Sequence, residues 1–286
     1  MRQLLAMFIF LLPLVCIGQS ENIYNFEETE AMNGLVYIKI DSTIVTGEIV
    51  QYFNNGDKSI HANFKEGKLN GLRKMWFENG QLKEERSFLD GIENGLTKVW
   101  FENGQLESES YIKDGKREGL TKGWYNDGQL HGESNFIDGI ENGLIKVWYE
   151  NGQLNSEVNF KDGKENGLAK VWHENGQRQG ESNFIDGKME GSLKSWYENG
   201  QLETDVNFIN SNPEGLARDW YKNGQLKQEV TFKEGKLEGL AREWHKNGKL
   251  KRKATFKDGK MYGFHIFYNE DGSVDREETW INGVQQ

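Results

Sequence analysis

Apolar and polar positions along this chain recur with two periods at once. The short period is two, which is the mark of a strand with one face buried. The long period is 24: Trp76, Trp100, Trp124, Trp148, Trp172, Trp196, Trp220 and Trp244 stand at that spacing, and Tyr52 and Tyr268 extend the series. One supersecondary unit has been copied about ten times. The fold class expected is all-β: tandem 24-residue β-hairpin repeats in an elongated, twisted antiparallel meander sheet.

In the unit from Gly95 to Glu118, a run ending Val99-Trp100-Phe101 is followed by Asn103-Gly104 and a second run from Gln105 to Ile112. Asn-Gly between two such runs predicts a type I′ hairpin, which needs positive φ at both residues. Asp114-Gly115 then opens a longer loop that ends at Gly119. Three glycine series repeat with the unit and read as turn chemistry. No glycine-rich loop leads into a helix, as a phosphate cradle would require.

A two-residue turn at Asn79-Gly80 fixes a register. It places Phe77 opposite Leu82, Trp76 opposite Lys83 and Lys74 opposite Glu85. The same register sets a basic residue against an acid in seven of eight copies, Arg242 with Lys253 being the exception. Alternation then sorts the faces. One carries Leu96, Lys98, Trp100 and Glu109, with a row at Asn135, Asn159, Asn183 and Asn207. The other carries Val99, Phe101, Leu106 and Ile112. A single layer cannot hide both faces, so it must twist into a trough or be covered by a partner. The apolar stripe of Phe101, Leu106, Tyr125, Leu130, Tyr149, Leu154 and Phe160 is the candidate interaction face. The ladder of eight tryptophans is the alternative. Asn210-Ser211-Asn212-Pro213 and the pair His173/Arg178 break the pattern and read as drift.

The ends differ from the array. Residues 1–18 read as a signal peptide. Arg2 precedes an apolar run from Leu4 to Ile17, too short to span a bilayer, and cleavage is expected before Gln19. An uncleaved anchor and a lipoprotein at Cys16 are the alternatives, and Val15 opposes the second. Residues 19–33 read as a linker, 34–46 as an N-terminal capping hairpin, and 47–286 as the repeats with an eroded C-terminal copy. The chain is therefore expected to be exported: periplasmic, envelope-associated or secreted.

Composition narrows the chemistry. The net charge of −10, with both signs interspersed, argues against nucleic acid and against direct binding to anionic lipid. Aromatics at 12% exclude a disordered low-complexity chain. Cys16 is the only cysteine, so a cleaved chain has no thiol chemistry. His61, His131, His173, His245 and His265 do not share metal-ligand spacing. The carboxylates are spread by the repeat and opposed by lysines, which suits a solvated ladder rather than an acid/base pair. The Asp-Gly loops lack the alternate carboxylates of a calcium site. No catalytic residue, metal or cofactor is expected, and the protein reads as non-enzymatic.

Gly143 to Leu154, with Phe160 to Gly163, closely resembles the motif of the bacterial MORN-repeat-variant family. The resemblance covers about residues 47–283. It implies tandem hairpins in one elongated sheet. Many bacterial members carry an antitoxin label of the YwqK type. Eukaryotic MORN proteins are linked to membrane attachment, scaffolding and dimerisation. The acidic charge and tryptophan ladder here depart from those. Three functions are expected from these readings: a scaffold for protein–protein interaction in the bacterial envelope or outside the cell, a toxin-neutralising antitoxin, and a glycan- or cell-wall-binding protein using the tryptophan ladder. The partner expected is another protein or a second copy of the chain, with glycan as the alternative.

Overall fold

The structure, a computed structural model, describes residues 22–286. The expected signal peptide, with Cys16, lies outside the described residues. Strands β1 (Ile23–Asn25), β2 (Thr29–Met32) and β3 (Leu35–Ile38) precede the array. Its first four long strands are β4 (Gly47–Tyr52), β5 (Lys58–Lys65), β6 (Lys68–Trp76) and β7 (Leu82–Leu89). Nine more copies of the β4–β5 hairpin succeed one another, the last at Gly263–Tyr268 and Val274–Ile281. Their strands join one 28-stranded sheet in chain order, open at both ends rather than closed into a barrel. The described residues contain no α-helix.

The two turns of each copy exchange the roles read from sequence. At Phe77–Gly80 the Gly80 N–H donates to the Phe77 carbonyl at 3.0 Å, and the Phe77 N–H to Gln81 at 2.9 Å. Only Gly80 has positive φ there. This is a three-residue type I turn closed by a glycine bulge, not type I′. The type I′ geometry belongs instead to Asp114-Gly115, with φ of 50° and 78° and Lys113 paired directly with Lys116. What reads as a longer loop is thus a tight turn plus a continuing strand. The extra residues sit further on, in a bulge. Glu133 pairs with Lys146 and Phe136 with Glu141, so four residues face two. Gly143 takes a φ of 101° there and bends the strand.

The bulge at the other turn moves the register by one. Lys74 does lie opposite Glu85, but Trp76 pairs with Leu82, not Lys83. The reason is the extra loop residue, which parity counted from a two-residue turn could not include.

The sheet is a single layer, and its inner face forms the core. Phe136 is 8% exposed. Val230, Ala241, Ala254 and Phe256 cluster, with Phe232, Leu237 and Met261 packed against them. Each fully buried aromatic of this kind stabilises the fold by about 1.5–3 kcal/mol.

Residues 22–33 are not a linker. β1 pairs in parallel with β4, a 3-10 turn spans Phe26–Glu28, and β2 pairs with β3. Beyond β3 the chain folds back: Val45 N–H donates to Val36 at 3.0 Å. Gly67, in the first type I′ turn of the array, bonds both Val36 and Val45. Val45 is fully buried by this arrangement.

Candidate functional site

The seven residues of the expected apolar stripe do not share a face. Phe101, Tyr125, Tyr149 and Phe160 lie with the buried positions of the inner face. Leu106, Leu130 and Leu154 pair across with Trp100, Trp124 and Trp148 and so stand on the outer one. The one-residue bulge beside each leucine is the cause.

The inner aromatics are structural. Tyr125 Oη–H donates to the Trp148 carbonyl at 2.7 Å, and Tyr149 to Trp172 at 2.7 Å. Tyr197 and Tyr221 repeat the bond to Trp220 and Trp244. Each hydroxyl thereby ties one copy to the next. His173 and Arg178 are not drift. His173 Nε2 reaches the Trp196 carbonyl at 2.8 Å, replacing a tyrosine hydroxyl with an N–H of similar reach. Arg178 lies 5.0 Å from the Trp172 ring centre and 2.7 Å from Glu181.

A second ladder runs along the turns. Asn79, Asn103, Asn151, Asn175, Asn199, Asn223 and Asn247 each donate Nδ2–H to a backbone carbonyl of the next turn. Their Oδ1 accepts the N–H two residues on, as in Asn151 with Gln153 at 2.9 Å. Asparagine is used here for its two-ended amide, not for positive φ. Gly104 is required by its backbone, whose φ is 84°; the Gln81 amide that packs over it is the mobile end of an exposed side chain.

The outer face is where apolar surface meets water. Leu96, Leu120, Leu168 and Leu216 are 42%, 44%, 42% and 45% exposed. They form a row beside the charged rung. Within that rung Lys74–Glu85, Lys98–Glu109 and Lys122–Glu133 pair at 2.8, 3.0 and 3.1 Å. Glu157 turns instead toward Lys170 of the following copy, at 3.9 Å. The eight ladder tryptophans are half-buried on the far side of the rung. Sequence reading placed the leucines on the charged face but did not single them out. The signal was present: a leucine directly after the bulge glycine in most copies.

Among the described residues no group of His, Cys, Asp and Glu could hold a metal ion, and no helix is long and apolar enough to cross a membrane.

A chain in "Crystal Structure of TcdB2-TccC3" is similar at 11% identity and TM-score 0.20, over 90% of this chain and 17% of that one. A chain in "Crystal Structure of TcdB2-TccC3-Cdc42" is similar at 12% identity and TM-score 0.20, again over 90% and 17%. This chain thus spans about a sixth of theirs, and likeness at such a score carries no weight for function. No curated protein matches. The family model described as MORN repeat variant matches residues 69–90, 93–114, 117–138, 141–162, 165–186, 189–210, 213–234 and 237–258. With eight matched repeats inside ten hairpins of one meander sheet, the chain belongs to the MORN repeat variant family.

Proposed function

We propose that this array is a non-enzymatic scaffold that holds a partner protein on its outer face. The observation that carries the reading is the row of half-exposed leucines beside an ordered charge rung, repeated on a backbone that two hydrogen-bond ladders keep in register. Apolar anchors supply affinity, and the rung supplies orientation. MORN repeats are in general protein-binding, scaffold-like units, and they are not a known enzyme family. The apolar run from Leu4 to Ile17 supports export, and hence a partner in the bacterial envelope or outside the cell. Export is tested by sequencing the N-terminus of the mature chain, expected at Gln19. The tryptophans are half-buried and crossed by leucine or arginine, which favours a protein over a glycan as the occupant.

Changing Leu96, Leu120 and Leu168 together to Ser tests the scaffold reading. The variant should keep its melting temperature within a few degrees and lose the partners that the unaltered chain retains in pull-down. Changing Lys146 and Glu157 to Gln should weaken retention far less than the leucine changes, since exposed charges orient a partner more than they anchor it. Retention by the leucine variant, with loss in a folded Tyr149→Phe chain, would move the binding surface to the inner face.

A further inference from the structure

The two rims of the sheet, where the turns lie, carry opposite charges that nothing in the chain neutralises. On the rim of type I′ turns Lys113 stands directly opposite Lys116, Lys161 opposite Lys164 and Lys233 opposite Lys236. Like charges in that position destabilise a strand pair, so the hairpin gains nothing from them. All six lysines are exposed, and the ion pairs of the described residues lie elsewhere, as on the rung of the outer face. On the rim of bulged turns Glu150, Glu198 and Glu270 are exposed too, each one residue before the Asn or Asp of its turn. Among the described residues these three glutamates also have no ion-pair partner.

We propose that the lysine rim of one chain docks on the glutamate rim of a second copy of the same chain. The contact uses the rims and is independent of the outer face. Its pitch is matched from the start, because both rims belong to one array and each advances by two strands, about 10 Å, per copy. The order of charges also sets a stagger. With two chains level, Lys233–Lys236 faces Lys222 and Lys257–Lys260 faces Lys246, and these repel. With the second chain set back by two copies, the three lysine pairs face Glu150, Glu198 and Glu270 instead. Each exposed pair contributes little alone, so several must act together, and salt must weaken them. A two-fold interface uses the same patch on both chains and would set like rims together. Opposite rims join heterologously, and a side-by-side shift does not close, so the chains grow into a staggered raft.

The experiment is sedimentation of the full chain at two salt concentrations. At about 0.1 M the Debye length is about 10 Å, which damps the long-range repulsion between chains of net charge −10. The average mass there should exceed twice the monomer's, and it should return to the monomer's at about 1 M salt, where the Debye length is about 3 Å. Two variants test the complementarity. Lys113, Lys116, Lys161, Lys164, Lys233 and Lys236→Glu makes both rims acidic, and Glu150, Glu198 and Glu270→Lys makes both basic. Each alone should be monomeric, and an equimolar mixture should associate again. Both variants keep a net negative charge, so bulk attraction does not explain such a rescue. All nine positions are exposed, and an unchanged melting temperature shows that the array is intact. An unaltered chain that stays monomeric at the lower salt overturns the proposal. So does association of either variant alone at the level of the unaltered chain, or a mixture that stays monomeric. Growth that stops at a dimer also overturns it, assigning the contact to a two-fold interface elsewhere.

Discussion

The inner row of the sheet is built from different chemistry in two of its stretches, one in the first half of the array and one in the second. In copies two to four it opposes Arg73 to Arg86, Thr97 to Ser110 and Thr121 to Ser134. In copies eight and nine it opposes Ala217 to Val230 and Ala241 to Ala254. The backbone pairing is the same, so the hairpin does not dictate what fills this row. In the first half Glu84 accepts from Arg73 and pairs with Arg86 at 2.8 Å, and Arg86 also reaches Glu93 at 3.1 Å. In the second half the row packs against Phe256 and Phe232 as an apolar core. Around Glu84 the polar stretch holds its geometry through partnered charges, and the apolar stretch holds its own through burial. The two should therefore fail under different insults.

The largest contrast is expected from a single carboxylate. Val230→Asp puts an unpaired charge among Ala217, Phe256 and Phe232 and should cost about 3–5 kcal/mol. The same change at Ser134, beside Thr121, should cost about half of that, because that row is polar and only half-buried. Urea unfolding followed by tryptophan fluorescence measures both, and equal costs would erase the distinction between the stretches. Next comes Glu84→Ala, which strands the Arg73 guanidinium and leaves Arg86 with Glu93 alone. About 2 kcal/mol is expected, reduced from the fully buried case by partial exposure. Hydrogen exchange should locate the loss in copies two and three and leave copies eight and nine protected.

Acid should separate the regions by pH. His265 takes the place of Ala241 in the last copy and is 4% exposed, stacked on Phe267 at 4.5 Å with neither ring nitrogen hydrogen-bonded. Burial, then the charge of Arg252, holds its pKa below the ordinary 6.5, against the opposing pull of Glu278. The unfolded chain then binds the proton first, so stability of this hairpin is lost as pH falls below about 6.5. Burial raises Glu84, but the bonds from Arg73 and Arg86 outweigh it and set the carboxyl below its ordinary 4.5. Its contribution is present above that value and is lost only at lower pH. The last hairpin should accordingly open in exchange experiments near pH 5.5, copies two and three only near pH 4. His265→Ala should abolish the first step, and a step that persists would rule out this histidine as its cause.

The smallest effect is a gain. Asp127 accepts from the Gln129 N–H at 2.9 Å but has no amide to donate to the next turn. Asp127→Asn should restore the missing rung and add about 0.5–1.5 kcal/mol, visible as a higher Tm. No gain would mean that the turn ladder contributes register without stability.

How far the sequence reached is clearest at particular residues. The opposition of Lys74 to Glu85, and its repetition along the array, was legible because it lies far enough from the turn that the bulge does not intervene. Trp76 lies next to the bulge, and there parity failed. Leu106, Leu130 and Leu154 were assigned to the wrong face for the same reason. His173 looked like drift because a sequence shows the loss of a tyrosine but not the carbonyl that its replacement still reaches.

By itself the sequence determined the repeat length, the all-β class, the order of strands and the charge register. Those come from local chemistry: period-two alternation, turn residues and like spacing of like side chains. Only the tertiary structure decided which turn is type I′, which face each aromatic takes, and what lies along the edge of β4. Each of these depends on a bulge or on a contact between copies. One extra residue reverses the facing of every side chain beyond it, and a hydrogen bond 23 residues away, such as Tyr125 to Trp148, leaves no mark in the local pattern.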